Sequence, residues 1–149
     1  MRFIIMCSTI ASTNSNEQAI TTAGIHHLGL TVPNLQQAVD FFIEQLNFEK
    51  VGEKPAYPAI FVSDGSIMLT LWQAKDADNM VAFNRQNNVG LHHFALRVSN
   101  LEELQALHAK FLKLDDVQIE FAPEPLGDTG IHHMMCYIPG GIRLELINA

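Results

Sequence analysis

From residue 25 the chain alternates apolar and polar positions. Leu28, Leu30 and Val32 fall on one side of an extended segment and His27, Gly29 and Thr31 on the other, so the pattern predicts a strand with one greasy face and one face free for chemistry. The period then changes. Leu35, Ala38, Val39, Phe42, Ile43 and Leu46 share one face at helical spacing, and Asn34 with Gln37 three positions on predicts a capping box at the helix start. Three strand-like runs follow, Phe48 to Gly52, Pro58 to Ser63 and Ser66 to Gln73, the last two joined by the turn signal Asp64-Gly65. Residues 74–89 are polar with a brief helical patch and read as a connection. The same order then returns: a strand at Leu91 to Val98, and a helix opened by Asn100 with Glu103 and carrying Leu101, Leu104, Leu107 and Phe111. Strands follow at 117–121, 131–137 and 142–147, the last two joined by Pro139-Gly140-Gly141.

Both halves therefore read as βαβββ, and the residues themselves repeat. Gly24 to Leu35 (GIHHLGLTVPNL) matches Gly90 to Leu101 (GLHHFALRVSNL) at a constant offset of 66, with seven of twelve positions identical. The expectation is an α+β domain over 24–149, with module one at 24–73, a linker at 74–89 and module two at 90–149. One helix can cover only one face of four strands. Each sheet keeps an uncovered face, and two such faces set opposite one another enclose a cup.

With 149 residues and 48% hydrophobic content the chain can bury the core of one domain. Sixteen Asp and Glu against nine Lys and Arg give a net charge of −7 with no basic run, which argues against a nucleic-acid or anionic membrane partner and leaves a small molecule. Cys7 and Cys136 make neither a disulfide framework nor a zinc-finger spacing, which suits a reducing compartment, so the cytoplasm is the expected location. Residues 1–23 read as a flexible leader, because one arginine and the marginal apolar run Phe3 to Ala11 make a poor export signal.

Six of the seven histidines lie in three doublets, His26-His27, His92-His93 and His132-His133, each introduced by a glycine and a branched aliphatic residue. His27 and His93 occupy matching positions on the cup side of the two opening strands, where His93, Ala95 and Arg97 oppose Phe94, Leu96 and Val98. In the final strand Leu144 and Leu146 take the helix side, leaving Arg143, Glu145 and Ile147 on the cup side. A carboxylate in so apolar a segment needs a cation or a metal beside it, so Glu145 reads as a metal ligand or as the partner of Arg143. His27, His93 and Glu145 together form a set of two histidines and one carboxylate, which iron, manganese, nickel or zinc could occupy with positions left open. His26 and His92 fall on helix-side parity and read as structural neighbours. The third doublet's strand sets His133, Met135 and Tyr137 against His132, Met134 and Cys136, and parity does not decide between its faces. Trp72 keeps step with Met68 and Thr70, as a wall of the cup or a seal on a dimer surface.

Paired βαβββ modules, the strands opening at His27-Leu-Gly-Leu-Thr-Val and His93-Phe-Ala-Leu-Arg-Val, and the ending Ile138-Pro-Gly-Gly-Ile-Arg-Leu-Glu-Leu resemble the vicinal oxygen chelate superfamily. That superfamily groups glyoxalase I, extradiol dioxygenases, fosfomycin-resistance thiol transferases, methylmalonyl-CoA epimerase and bleomycin-resistance proteins. The resemblance implies a cupped, half-open barrel, a divalent metal ion (Fe, Mn, Ni or Zn) on His27, His93 and Glu145, a small oxygen-rich substrate and a homodimer. It implies a glyoxalase-like lyase or isomerase, or a dioxygenase, with His133 or Tyr137 as proton shuttle or hydrogen-bond donor. The further glutamate of glyoxalase I is matched here by Thr70, whose hydroxyl is a poor ligand. The competing reading is a metal-free small-molecule binder of the bleomycin-resistance type.

Overall fold

The computed structural model describes residues 21–149; Cys7 and nearly all of the expected leader fall outside them. The chain runs β1 (His27–Val32), α1 (Leu35–Asp40) continued by a π-helical turn (Phe41–Gln45), β2 (Glu49–Lys54), β3 (Ala59–Ser63) and β4 (Met68–Gln73). It then runs β5 (Phe94–Arg97), α2 (Leu101–Phe111), β6 (Gln118–Pro125), β7 (His132–Ile138) and β8 (Ile142–Ile147). Two four-stranded sheets result, ordered β1-β4-β3-β2 and β5-β8-β7-β6, with the first and last strand of each module parallel and the other pairs antiparallel. The sheets share topology strand for strand and do not close into a barrel.

Alternation works as expected in β1 and β5. Leu30, Val32, Phe94 and Leu96 are buried, whereas His27, Gly29, Thr31, Ala95 and Arg97 are exposed. The buried side chains join Leu69, Leu71, Leu144 and Leu146 and both helices in one core, each fully buried Leu or Phe contributing roughly 1.5–3 kcal/mol by leaving water. The helices meet inside it. Phe41 and Phe111 stack with ring centroids 5.5 Å apart, and Lys110 Nζ donates to the Glu44 and Gln45 carbonyls at 2.9 and 3.1 Å. The greasy faces thus converge on the helices, on the opposite side of each sheet from the histidine-bearing face.

Local chemistry sets the element ends. The Asn34 and Asn100 side chains accept from the backbone N–H of Gln37 and Glu103 at 3.1 and 2.9 Å, capping both helices. Gln37 Nε2 also donates to Asp116 at 3.1 Å, tying the helix start to the second module. The expected single helix to Leu46 widens into a π turn after Asp40, and this lets the adjacent Phe41 and Phe42 both point inward, one onto Phe111 and the other onto Phe48. Asn47, at φ 56°, ends it, and the Phe48 N–H reaches back to the Phe42 carbonyl at 3.0 Å. The Asp64-Gly65 turn is held by Asp64 Oδ1, which accepts from the Ser66 and Ile67 N–H groups. The helical patch expected within 74–89 is absent: the Asn84 and Asn88 side chains bond local backbone N–H groups and compete with helix formation.

Candidate functional site

Each module opens with the same histidine pair in the same geometry. His26 Nδ1 and His27 Nδ1 stand 2.8 Å apart, and His92 Nδ1 and His93 Nδ1 also 2.8 Å, with ring centroids 5.1 Å apart in both pairs. At that separation one Nδ1 can donate to the other, with the tautomers deciding which ring does so. In each pair the preceding histidine holds the orientation of the second ring through this contact. His26 and His92 thus sit as structural neighbours of His27 and His93, the reading their helix-side parity favoured.

His93 Nε2 points at the final strand. It lies 3.2 Å from Glu145 Oε2, while His133 Nδ1 lies 2.6 Å from Glu145 Oε1. Pairing of β7 with β8 sets Met134 opposite Leu146 and Cys136 opposite Leu144 in the core, which resolves the ambiguous strand by sending His133, Met135 and Tyr137 to the cup side. His133 and Glu145 are mostly buried, their side chains 15% and 13% exposed, and the Phe121 ring lies edge-on to His133. Glu145 is not the partner of Arg143, which bonds Glu120 instead. Tyr137 is opposite Arg143 in the β7–β8 register, one step along the sheet from the His93–His133–Glu145 trio.

His27 sits elsewhere. It is exposed on β1, in the other sheet, and its side-chain hydrogen bond among the described residues is to His26. Also among the described residues, no group of three or more His, Cys, Asp and Glu is arranged within one chain to hold a metal ion. His93 Nε2 and Glu145 Oε2, 3.2 Å apart, are both atom types that can ligate a divalent ion. His133 serves as a hydrogen-bond partner that orients the carboxylate.

The position where a further glutamate ligand was weighed is sealed. Thr70 is buried, its hydroxyl accepts from Trp72 Nε1 at 3.0 Å, and a Cβ on Gly29 would stand 3.2 Å from that hydroxyl. Trp72 in turn meets Tyr57 and Phe61, with centroids 5.1 and 6.0 Å away, building an aromatic wall on the cup side of the first sheet.

A second polar group, not foreseen from the sequence, lies beside the trio. Arg143 grips Glu120 through Nε at 2.6 Å and Nη2 at 3.1 Å, and Arg85 from the linker adds Nη2 to the same Glu120 Oε1 at 2.9 Å. The Arg143 hydrogen bond foremost, and both guanidinium charges, hold the Glu120 carboxyl below its ordinary value; Glu120 in turn raises Arg143. Partial desolvation and then the Arg143, His93 and Arg85 charges push the His92 ring down. Burial pushes the Cys136 thiol up to about 12, so it is inert at neutral pH. A cavity of about 550 Å³ adjoins this group, bounded by the C-terminal half of β1, the β7–β8 hairpin and residues 80–85. The hairpin turn needs glycine: Gly140 has φ 92°, and a Cβ there would press on Pro33 Cδ at 3.1 Å.

Residues 24–146 match the family model of the Glyoxalase/Bleomycin resistance protein/Dioxygenase superfamily. The chain belongs to that superfamily. A 2-epi-5-epi-valiolone epimerase of an Actinomyces species is 26% identical over 152 residues, covering 83% of this chain and 78% of the relative. The fold matches a lactoylglutathione lyase from Agrobacterium tumefaciens with a TM-score of 0.66 at 19% identity, over 87% of this chain and 96% of the other. It also matches a fosfomycin resistance protein from Listeria monocytogenes, with a TM-score of 0.68 at 16% identity over 86% and 94% of the two chains. At such identities these two structures speak for the fold alone. No described helix is long and apolar enough to cross a membrane.

Proposed function

We propose that the protein is a metal-dependent enzyme of the vicinal oxygen chelate type that moves a proton on a small oxygen-rich metabolite. The convergence of His93 and His133 on the Glu145 carboxylate carries this reading. His93, Glu145 and His27 would hold a divalent ion, which when bound supplies Lewis acidity toward adjacent oxygens of the substrate. His27 lies exposed on another sheet, so we read it as reaching the site of a second copy in a homodimer, the commonest closed assembly. His133 would exchange a proton with the substrate at Nε2, its Nδ1 held by Glu145 Oε1 2.6 Å away. Trp72, Tyr57 and Phe61 would shield one side of the cup from water. Proton transfer is favoured over oxygenation because the curated relative is named an epimerase.

Elemental analysis of protein purified without a chelating tag tests the reading. About one divalent ion per chain is expected, lost in His27→Ala, His93→Ala and Glu145→Ala while the circular dichroism of the fold persists. Protein that carries no ion and still binds a ligand after His27→Ala and Glu145→Ala would instead be a metal-free binder of the bleomycin-resistance kind.

A further inference from the structure

The charges beside the trio do not balance. Arg85 and Arg143 both bond Glu120, and both share its Oε1, so two guanidinium groups meet one carboxylate and a positive charge is left over. The Arg85 Nε is also shut away from water with no hydrogen-bond partner among the described residues. The guanidinium N–H groups of both arginines that Glu120 does not engage remain as charged donors for an anion in the cavity they line. Both arginines line the 550 Å³ cavity, together with the apolar Met80, Val81 and Phe83. In a chain of net charge −7, two of only nine Lys and Arg are gathered at one cavity.

We propose that this cavity binds the anionic head group, a carboxylate or a phosphate, of a small molecule whose apolar part lies against residues 80–83. Arg143 is two positions before Glu145 on the same face of β8, about 7 Å along the strand. The head group would therefore sit one step from the trio, and as a statement about the enzyme's substrate the inference rests on the function proposed above. Arg85 and Arg143 are then specificity-determining residues.

Calorimetric titration of the chelator-treated full chain with phenyl phosphate, benzoate and neutral benzyl alcohol tests this, and its readout needs neither metal nor turnover. Loss of the proposed metal site would therefore leave the result unaffected. Both anions, or one of them, are expected to bind at least ~10-fold more tightly than benzyl alcohol, and the tighter anion identifies the head group. Arg85→Met, in the exposed connecting segment, is expected to weaken the anion ~10-fold or more. Glu120→Gln, which removes the competing carboxylate, is expected to tighten it. Equal binding of benzyl alcohol, absence of anion binding to the wild-type chain, or unchanged anion affinity in Arg85→Met would overturn the proposal.

Discussion

Glu120 shows how one side chain sets the chemistry of its surroundings. With Arg143 and Arg85 bonded to it, its carboxyl is held below the ordinary 4.5, so the folded state favours the ionised form. A depressed carboxyl contributes stability that is fully present above the unfolded value and lost as pH falls through the folded one. Urea midpoints measured from about pH 6 down to about pH 3 should fall below pH ~4.5 in the wild-type chain with a component that Glu120→Gln lacks. Parallel profiles for the two proteins would contradict the pairing. The partnership was not legible in the sequence for a definite reason. The β6–β7 register shifts between Ile119 and Phe121, so Glu120 sits in an irregularity where strict alternation no longer says which way a side chain points. Glu145 lies in the regular strand β8, where parity holds and gives its face directly.

At the scale of elements, the module is a strand, a helix and three strands whose joints are made by particular residues. Asn47 is the sharpest joint. It adopts a left-handed φ of 56° where the π turn ends and the chain enters β2, and asparagine tolerates that conformation where a β-branched residue does not. Asn47→Val is expected to lower unfolding stability by about 1–2 kcal/mol, and Asn47→Gly to be near neutral, by urea denaturation. Equal stability of Asn47→Val and the wild type would show that the backbone does not need this conformation. Helix starts, the βαβββ succession and the Asp64-Gly65 hairpin could be read from caps, periods and turn residues, since these signals are local. The π turn could not, because it follows from two neighbouring phenylalanines seeking different partners, Phe111 and Phe48. Likewise, β5 begins at Phe94 and not Leu91, leaving the second histidine pair just ahead of the strand.

For the whole molecule, the repeat announced two equivalent sheets, but sequence parity names a face without naming what that face meets. The structure supplies half of that information: the greasy faces and helices converge on one core, while His27 stays exposed on the other face of its sheet and the His93–His133–Glu145 trio gathers on the other face of the second. Long-range pairing of this kind depends on the summed packing of Phe41, Phe111 and their neighbours, which no short motif encodes. If the metal site is shared between copies, a chain lacking His27 and a chain lacking Glu145 carry complementary defects. Refolding His27→Ala and Glu145→Ala together would then produce mixed dimers with one intact site of two. Elemental analysis of the mixture should recover about a quarter of the wild-type metal, given random pairing into two-fold dimers. Each variant refolded alone should hold essentially none. Mixed dimers that recover no metal, while wild-type dimers hold a full complement, would contradict a site completed by the second copy.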